Sequence, residues 1–167
     1  MYFWRVDRLV EDFRNDQVTE KEKLKYMILY GVFYAVAVNS AFSTAFESTY
    51  MDAVELLITA SIAIFGTYYC YAKNRGGDGR DFVTRFMCIG LPVTVKVAIL
   101  FLPLFVASLI VEKAYGIGTQ TNEFGQSVSY TTWPDLLLNG VLYAVMYLYL
   151  AKKMAAVAKV APASEPG

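Results

Sequence analysis

Charged residues are excluded from four long stretches of this chain, and that exclusion constrains the fold more than any other feature. Leu24 to Phe46 holds one Lys at its edge and no acid; Ala53 to Ala72 holds only Glu55; Leu91 to Val111 holds only Lys96; Pro134 to Ala151 holds only Asp135. A helix crosses the hydrocarbon core of a bilayer with about 20 apolar residues. Backbone polar groups in lipid must be satisfied within the segment, which makes each stretch a helix. A water-soluble bundle of buried apolar helices is the competing reading. With 18% charged residues, the chain has too little polar surface to cover four of them.

Composition agrees. The 167 residues are 56% hydrophobic and 16% aromatic, against about 45–50% apolar and about 25% charged in soluble domains. So much Leu, Ile, Val, Phe and Tyr excludes disorder for the bulk of the chain. Fifteen Lys+Arg balance fifteen Asp+Glu and the pI is near 6.3, so no basic footprint for nucleic acid exists. His is absent, which removes the commonest acid/base group and metal ligand. With two Cys, no metal site and no cofactor are expected. No Ser/His, Cys/His or paired-carboxylate constellation shares a leaflet, so the chain is not expected to be an enzyme.

The basic residues also orient the spans. Arg5, Arg8, Arg14, Lys21, Lys23 and Lys25 precede the first; Lys73, Arg75, Arg80 and Arg85 lie between the second and third; Lys152, Lys153 and Lys159 follow the fourth. The other two loops carry Lys113 alone. The positive-inside rule then places both termini and the middle loop in the cytoplasm. The expected fold class is all-α: a polytopic four-transmembrane-helix bundle with an N-terminal amphipathic helix. Its spans are about 24–46, 53–72, 86–111 and 134–151, and its location is the plasma (inner) membrane. The first span starts too far into the chain and runs too long for a cleaved signal peptide.

Residues 1–18 form the amphipathic interfacial element. Phe3, Val6, Leu9, Val10 and Phe13 fall on one side of a helix, Arg5, Asp7, Arg8, Glu11 and Asp12 on the other. The apolar side suits the inner leaflet or a neighbouring subunit. Asn15-Asp16-Gln17 ends it, and Thr19-Glu20-Lys21-Glu22 is a capping box that starts the next helix outside the membrane. Asp81 is placed to cap a stretch leading into the third span. The loop from Glu112 to Trp133 folds as a small hairpin or covers the bundle. Thr132-Trp133-Pro134-Asp135 is a helix start with Thr as cap, Pro at the first helical position and an acid against the positive dipole end. The tail, 152–167, is cytoplasmic and expected to be disordered. Cys70 and Cys88 fall at the cytoplasmic ends of their spans, where a packed apolar role suits them better than a disulfide.

Ionisable and polar groups within the spans are the site candidates, because they are costly in lipid. Lys96 either snorkels to the inner headgroups or faces a lumen. Glu55 either satisfies the start of its own helix together with Asp52 or lines a path. A Glu55–Lys96 pair requires Lys96 to lie deep in the membrane, and even then the two are about 10 Å apart along the bilayer normal, at 1.5 Å of helical rise per residue. Asn39 on the first span, and Asn139, Tyr143 and Tyr147 on the fourth, form polar stripes that serve helix contacts or an aqueous path. A separate candidate is the loop Arg75, Gly76, Gly77, Asp78, Gly79 and Arg80, whose glycines and arginines suit a partner or an anion, although no nucleotide-binding spacing is present. Pro92 and Pro103 make the third span the one to kink.

Three functions fit these features. A homo-oligomer forming a channel or pore-like assembly leads, since four short spans leave little room for a cavity within one copy. A membrane-anchoring or membrane-sensing subunit that recruits a cytoplasmic protein partner is the second. A small transporter is the third, weakened by the absence of an internal repeat between the two halves. The lipid bilayer is a partner in all of them.

Overall fold

A computed structural model describes residues 4–43, 50–75, 81–121, 127–129 and 131–158, the backbone alone for 33–43, 119–121 and 127–129. Its elements are α1 (Val6–Arg14), α2 (Glu20–Ser43), α3 (Tyr50–Lys73), α4 (Phe82–Tyr115), β1 (Thr119–Thr121), β2 (Ser127–Ser129) and α5 (Trp133–Ala158). Among the described residues the regular structure is helical apart from β1 and β2, an antiparallel pair that joins Thr119 to Ser129 and Thr121 to Ser127. The hairpin alternative for the loop after α4 is thus the one adopted. Among the described residues, α3, α4 and α5 are long and apolar enough to cross a membrane. The first expected span falls on α2.

Local chemistry explains the helix starts. Glu22 N donates to Thr19 Oγ1 at 3.4 Å, the first arm of the expected capping box, while Glu22 Oε2 faces the Thr19 hydroxyl at 3.5 Å in place of the Thr19 backbone N–H. Lys23 pairs with Glu20 at 2.7 Å one turn along, and this bond holds the Lys23 ammonium above its ordinary pKa. At α5, Asp135 N donates to Thr132 Oγ1 at 3.3 Å, while Thr132 N donates to Asp135 Oδ2 at 3.1 Å. Pro134 occupies the second helical position, where its missing N–H is also no loss. Asp81 does not cap α4 as expected. It adopts a left-handed conformation, φ 51°, with no side-chain cap bond.

The helices pack in the order α3, α5, α4, α2. Glu55 meets Asn139 and Gly66 meets Tyr147, so α3 and α5 run parallel. Thr94 meets Met146, so α4 runs against them. Gly66 is the closest approach: a Cβ there would lie 2.4 Å from the Tyr147 ring. Only glycine permits that contact. Tyr147 is tied to α3 again where the Cys70 thiol donates to its carbonyl at 3.8 Å.

The buried core is concentrated at one end, the one that also carries most of the basic residues. Tyr26, Cys70, Cys88, Ile89, Val93 and Met154 meet there, each at most 1% exposed. Both cysteines are free and buried, in the packed role expected of them. Elsewhere the long helices turn Leu57, Ile64, Phe65, Leu102 and Leu109 outward. Apolar faces of this kind suit contact with a lipid bilayer.

α1 departs from both placements expected of it. Val6, Leu9, Val10 and Phe13 are buried, and they pack on α5 and α4 of the same chain. The amphipathic face is therefore covered neither by lipid nor by a neighbouring subunit. Its polar side is fastened by the Lys153 ammonium, which donates to Asp7. That bond lowers the Asp7 pKa. A carboxyl depressed in the folded state stabilises above its unfolded pKa, and the contribution disappears as pH falls through the folded value. The pair is 80% exposed on the Asp7 side, so it contributes little beside the apolar face. Leu9→Asp is therefore expected to detach α1, because it places a carboxylate in an apolar site. Limited trypsinolysis at Arg8 and Arg14 should quicken at least ~10-fold while the protein stays membrane-inserted. Unchanged protection would show that α1 is held by something other than this face.

α5 runs past the expected membrane exit at Ala151 to Ala158, so residues 152–158 are helical rather than disordered. α1 supplies the surface that makes this possible, with Met154 and Val157 buried beneath it. α4 likewise starts at Phe82 and is 34 residues long. At about 1.5 Å per residue it is longer than the ~30 Å hydrocarbon core of a bilayer.

Candidate functional site

Three of the sequence candidates converge at the opposite end. Glu55, one turn into α3, faces Asn139, near the start of α5; Asn139 Nδ2 donates to Glu55 Oε1 at 2.6 Å. Tyr143 follows one turn below Asn139. Together with Asp52, Leu56 and Thr59 these residues line a cavity of about 310 Å³ between α3 and α5. Thr59 does not compete for the carboxylate, since its hydroxyl bonds the Glu55 carbonyl at 2.8 Å.

Thr131 and Thr132, consecutive residues before α5, tie this end together. The Thr131 hydroxyl lies within hydrogen-bonding distance of Asp52 Oδ1 and, at 3.0 Å, of Glu55 Oε2. The Thr131 N–H also donates to Asp52 at 3.4 Å. The Thr132 hydroxyl stands between Glu112 Oε1 at 2.9 Å and Asp135 Oδ2 at 2.8 Å. Thr132 is only 6% exposed. Each hydroxyl holds one hydrogen to donate, yet each faces two carboxyl groups. Among the described residues no Lys or Arg lies within ion-pair distance of Glu55, Glu112 or Asp135. The positive ends of the α3 and α5 dipoles offset part of the charge of Asp52, Glu55 and Asp135. Glu112 stands at the negative end of α4 and has no such help. Among the described residues no cation faces Glu55, Glu112 or Asp135, and a small cation would supply the positive charge they lack. Among the described residues no group of three or more metal-ligating side chains is assembled.

The rest of the α5 stripe is used differently. Tyr147 fills the gap over Gly66, and its hydroxyl lies 3.5 Å from Thr67 Oγ1. That part of the stripe makes helix contacts rather than a path. Asn39 lies in α2, its side chain outside the described residues.

Lys96 does not join the cavity. Its ammonium sits 5.7 Å from the centroid of the Tyr149 ring, beside Trp4 at the basic end. The Glu55–Lys96 pair is not formed: Glu55 is bonded to Asn139 and Thr131 instead. Arg75, two residues past the end of α3, adopts a left-handed conformation, φ 65°, and is exposed. Gly76, Gly77, Asp78, Gly79 and Arg80 lie outside the described residues.

Sequence reasoning passed over Thr131, Thr132 and Glu112 as site residues. Thr132 was legible only as a cap, and Thr131 carries no charge or spacing that would single it out. Glu112 was legible as the end of a span; its approach to the α5 cap needs the antiparallel packing of α4 against α5. No protein-family model matches the chain, and neither a curated protein nor a solved structure shows significant similarity to it.

Proposed function

We propose that the chain is a four-span protein of the plasma (inner) membrane, both termini cytoplasmic, that assembles as a homo-oligomer and conducts cations. The cavity between α3 and α5 is its outer mouth. The observation that carries this reading is the Glu55 carboxylate, held by Asn139 and Thr131 at the edge of a polar cavity and, among the described residues, with no Lys or Arg in ion-pair distance. Rings of acidic side chains select cations in other pores, and copies arranged about an axis would repeat Asp52 and Glu55. The apolar faces of α3 and α4 leave surface for both lipid and further copies.

A carrier is the second reading, because the cavity lies within one copy and is lined from both α3 and α5. The two readings differ in rate and stoichiometry. Purified protein in proteoliposomes is expected to pass K⁺ in preference to Cl⁻ and to crosslink as a closed oligomer. A monomer with slow, saturable cation uptake would favour the carrier. Flux equal to protein-free vesicles, or a preference for Cl⁻, would overturn both.

A further inference from the structure

A second cavity, about 470 Å³, lies at the basic end between the start of α1, α4 and α5. Its size falls in the range of small-molecule sites, about 300–1,000 Å³. Val97, Leu100 and Val145 give it apolar walls, with Trp4 and Tyr149 as aromatic ones. Its rim opens towards the hydrocarbon rather than water, for Ile99 and Leu100 are 45% and 70% exposed on a membrane-spanning helix. Trp4, 66% exposed, is of the residue type that settles at headgroup level. Lys96 is the charged residue of this lining, and its ammonium lies over the Tyr149 ring.

The charges around that ring do not balance. Lys96 and Lys153 lie over the same Tyr149 ring, at 5.7 and 5.0 Å. Asp7 is the carboxylate facing them, and it is bonded to Lys153. Among the described residues Lys96 has no ion-pair partner. A half-buried ammonium on a membrane helix needs an anion or an escape to water. An occupant with one anionic group and an apolar tail meets both the charge and the walls.

We propose that this cavity binds one anionic phospholipid of the inner leaflet, its phosphate on Lys96 and an acyl chain along Val97, Leu100 and Val145. Basic pockets between membrane helices on the cytoplasmic side hold anionic headgroups by the same chemistry. The lipid would then fill the junction between α1 and the long helices, and would secure α1 without using its buried apolar face. Nothing in this site depends on the α3–α5 cavity, so the proposal stands or falls apart from cation conduction.

The test is native mass spectrometry of the full chain in detergent, titrated with phosphatidylglycerol or phosphatidylcholine of identical acyl chains. The wild type should retain one phosphatidylglycerol at least roughly fivefold more strongly than phosphatidylcholine, the size of one basic residue's attraction to anionic lipid. Lys96→Gln should bring the two lipids to parity, and Lys96→Arg should keep the preference. Brominated phosphatidylglycerol should quench Trp4 in a Trp133→Phe background, and the quenching should fall in Lys96→Gln. Equal retention of the two lipids by the wild type would overturn the proposal, as would a preference that survives in Lys96→Gln.

Discussion

Gly66→Ala is expected to loosen the α3–α5 interface more than any other single methyl added to a membrane helix of this protein. The new Cβ would lie 2.4, 2.5 and 2.8 Å from three carbons of the Tyr147 ring, closer than non-bonded carbons approach. The closest of these contacts is Cγ, at the root of the ring rather than its flexible end, so a small swing of the side chain does not relieve it. The Tyr147 hydroxyl faces Thr67 and the Tyr147 backbone carbonyl accepts from Cys70. The two helices must therefore separate, and overpacking of this kind costs about 1–3 kcal/mol. Gly66→Val should exceed that. Unfolding in a mixed-micelle SDS titration measures it directly. Tyr147→Ala supplies the control, since removing the ring makes room for the methyl. The double variant should be less destabilised than the sum of the two single ones, by ~1 kcal/mol or more. Strict additivity would show that Gly66 is not the contact point.

The second large effect is at Glu55, where two substitutions separate hydrogen bonding from charge. Glu55→Leu removes both acceptors from the donors of Asn139 and Thr131. Leaving a partly buried donor unpaired costs about 1–3 kcal/mol, and water reaches the cavity to recover only part of it. Glu55→Gln keeps the shape and one carbonyl acceptor for Asn139, so its cost should stay below about 1 kcal/mol. The same titration in mixed micelles distinguishes them. Equal, small losses for both would mean that the Asn139 bond contributes nothing to the fold. The comparison also makes Glu55→Gln the variant to carry into functional work, because it removes the charge while keeping the helices in place.

The long helices were legible because lipid excludes charge, and Glu55 and Lys96 attracted attention for the same reason. Pairing was not legible. Asn139, Tyr143 and Tyr147 mark a face of α5 that meets something, but one sequence does not say that α3, two spans earlier and running parallel, is what it meets. The fate of α1 was hidden in the same way. Val6, Leu9, Val10 and Phe13 announce a face to be buried, while the surface that buries it is assembled from α4 and α5. The helix ends moved for a related reason. Lys152 and Lys153 were read as the edge of the membrane, yet Met154 and Val157 beyond them are buried with the apolar face of α1, and α5 continues there. At the opposite end, Thr131 and Thr132 gather four carboxyl groups that the sequence spreads from Asp52 to Asp135. Uncharged hydroxyls in a polar loop give no warning of that role.

Cation conduction through the Glu55 cavity is best tested by flux itself. Wild-type protein and Glu55→Gln, reconstituted at equal density in vesicles, should differ at least ~10-fold in K⁺ flux, the effect of about 1.4 kcal/mol at a rate-limiting site. Lys96→Gln, remote from the cavity, should leave the flux within about twofold of wild type, well inside that interval. If Glu55→Gln conducts as the wild type does, or if neither protein passes K⁺ faster than empty vesicles, the cavity is not the mouth of a cation path.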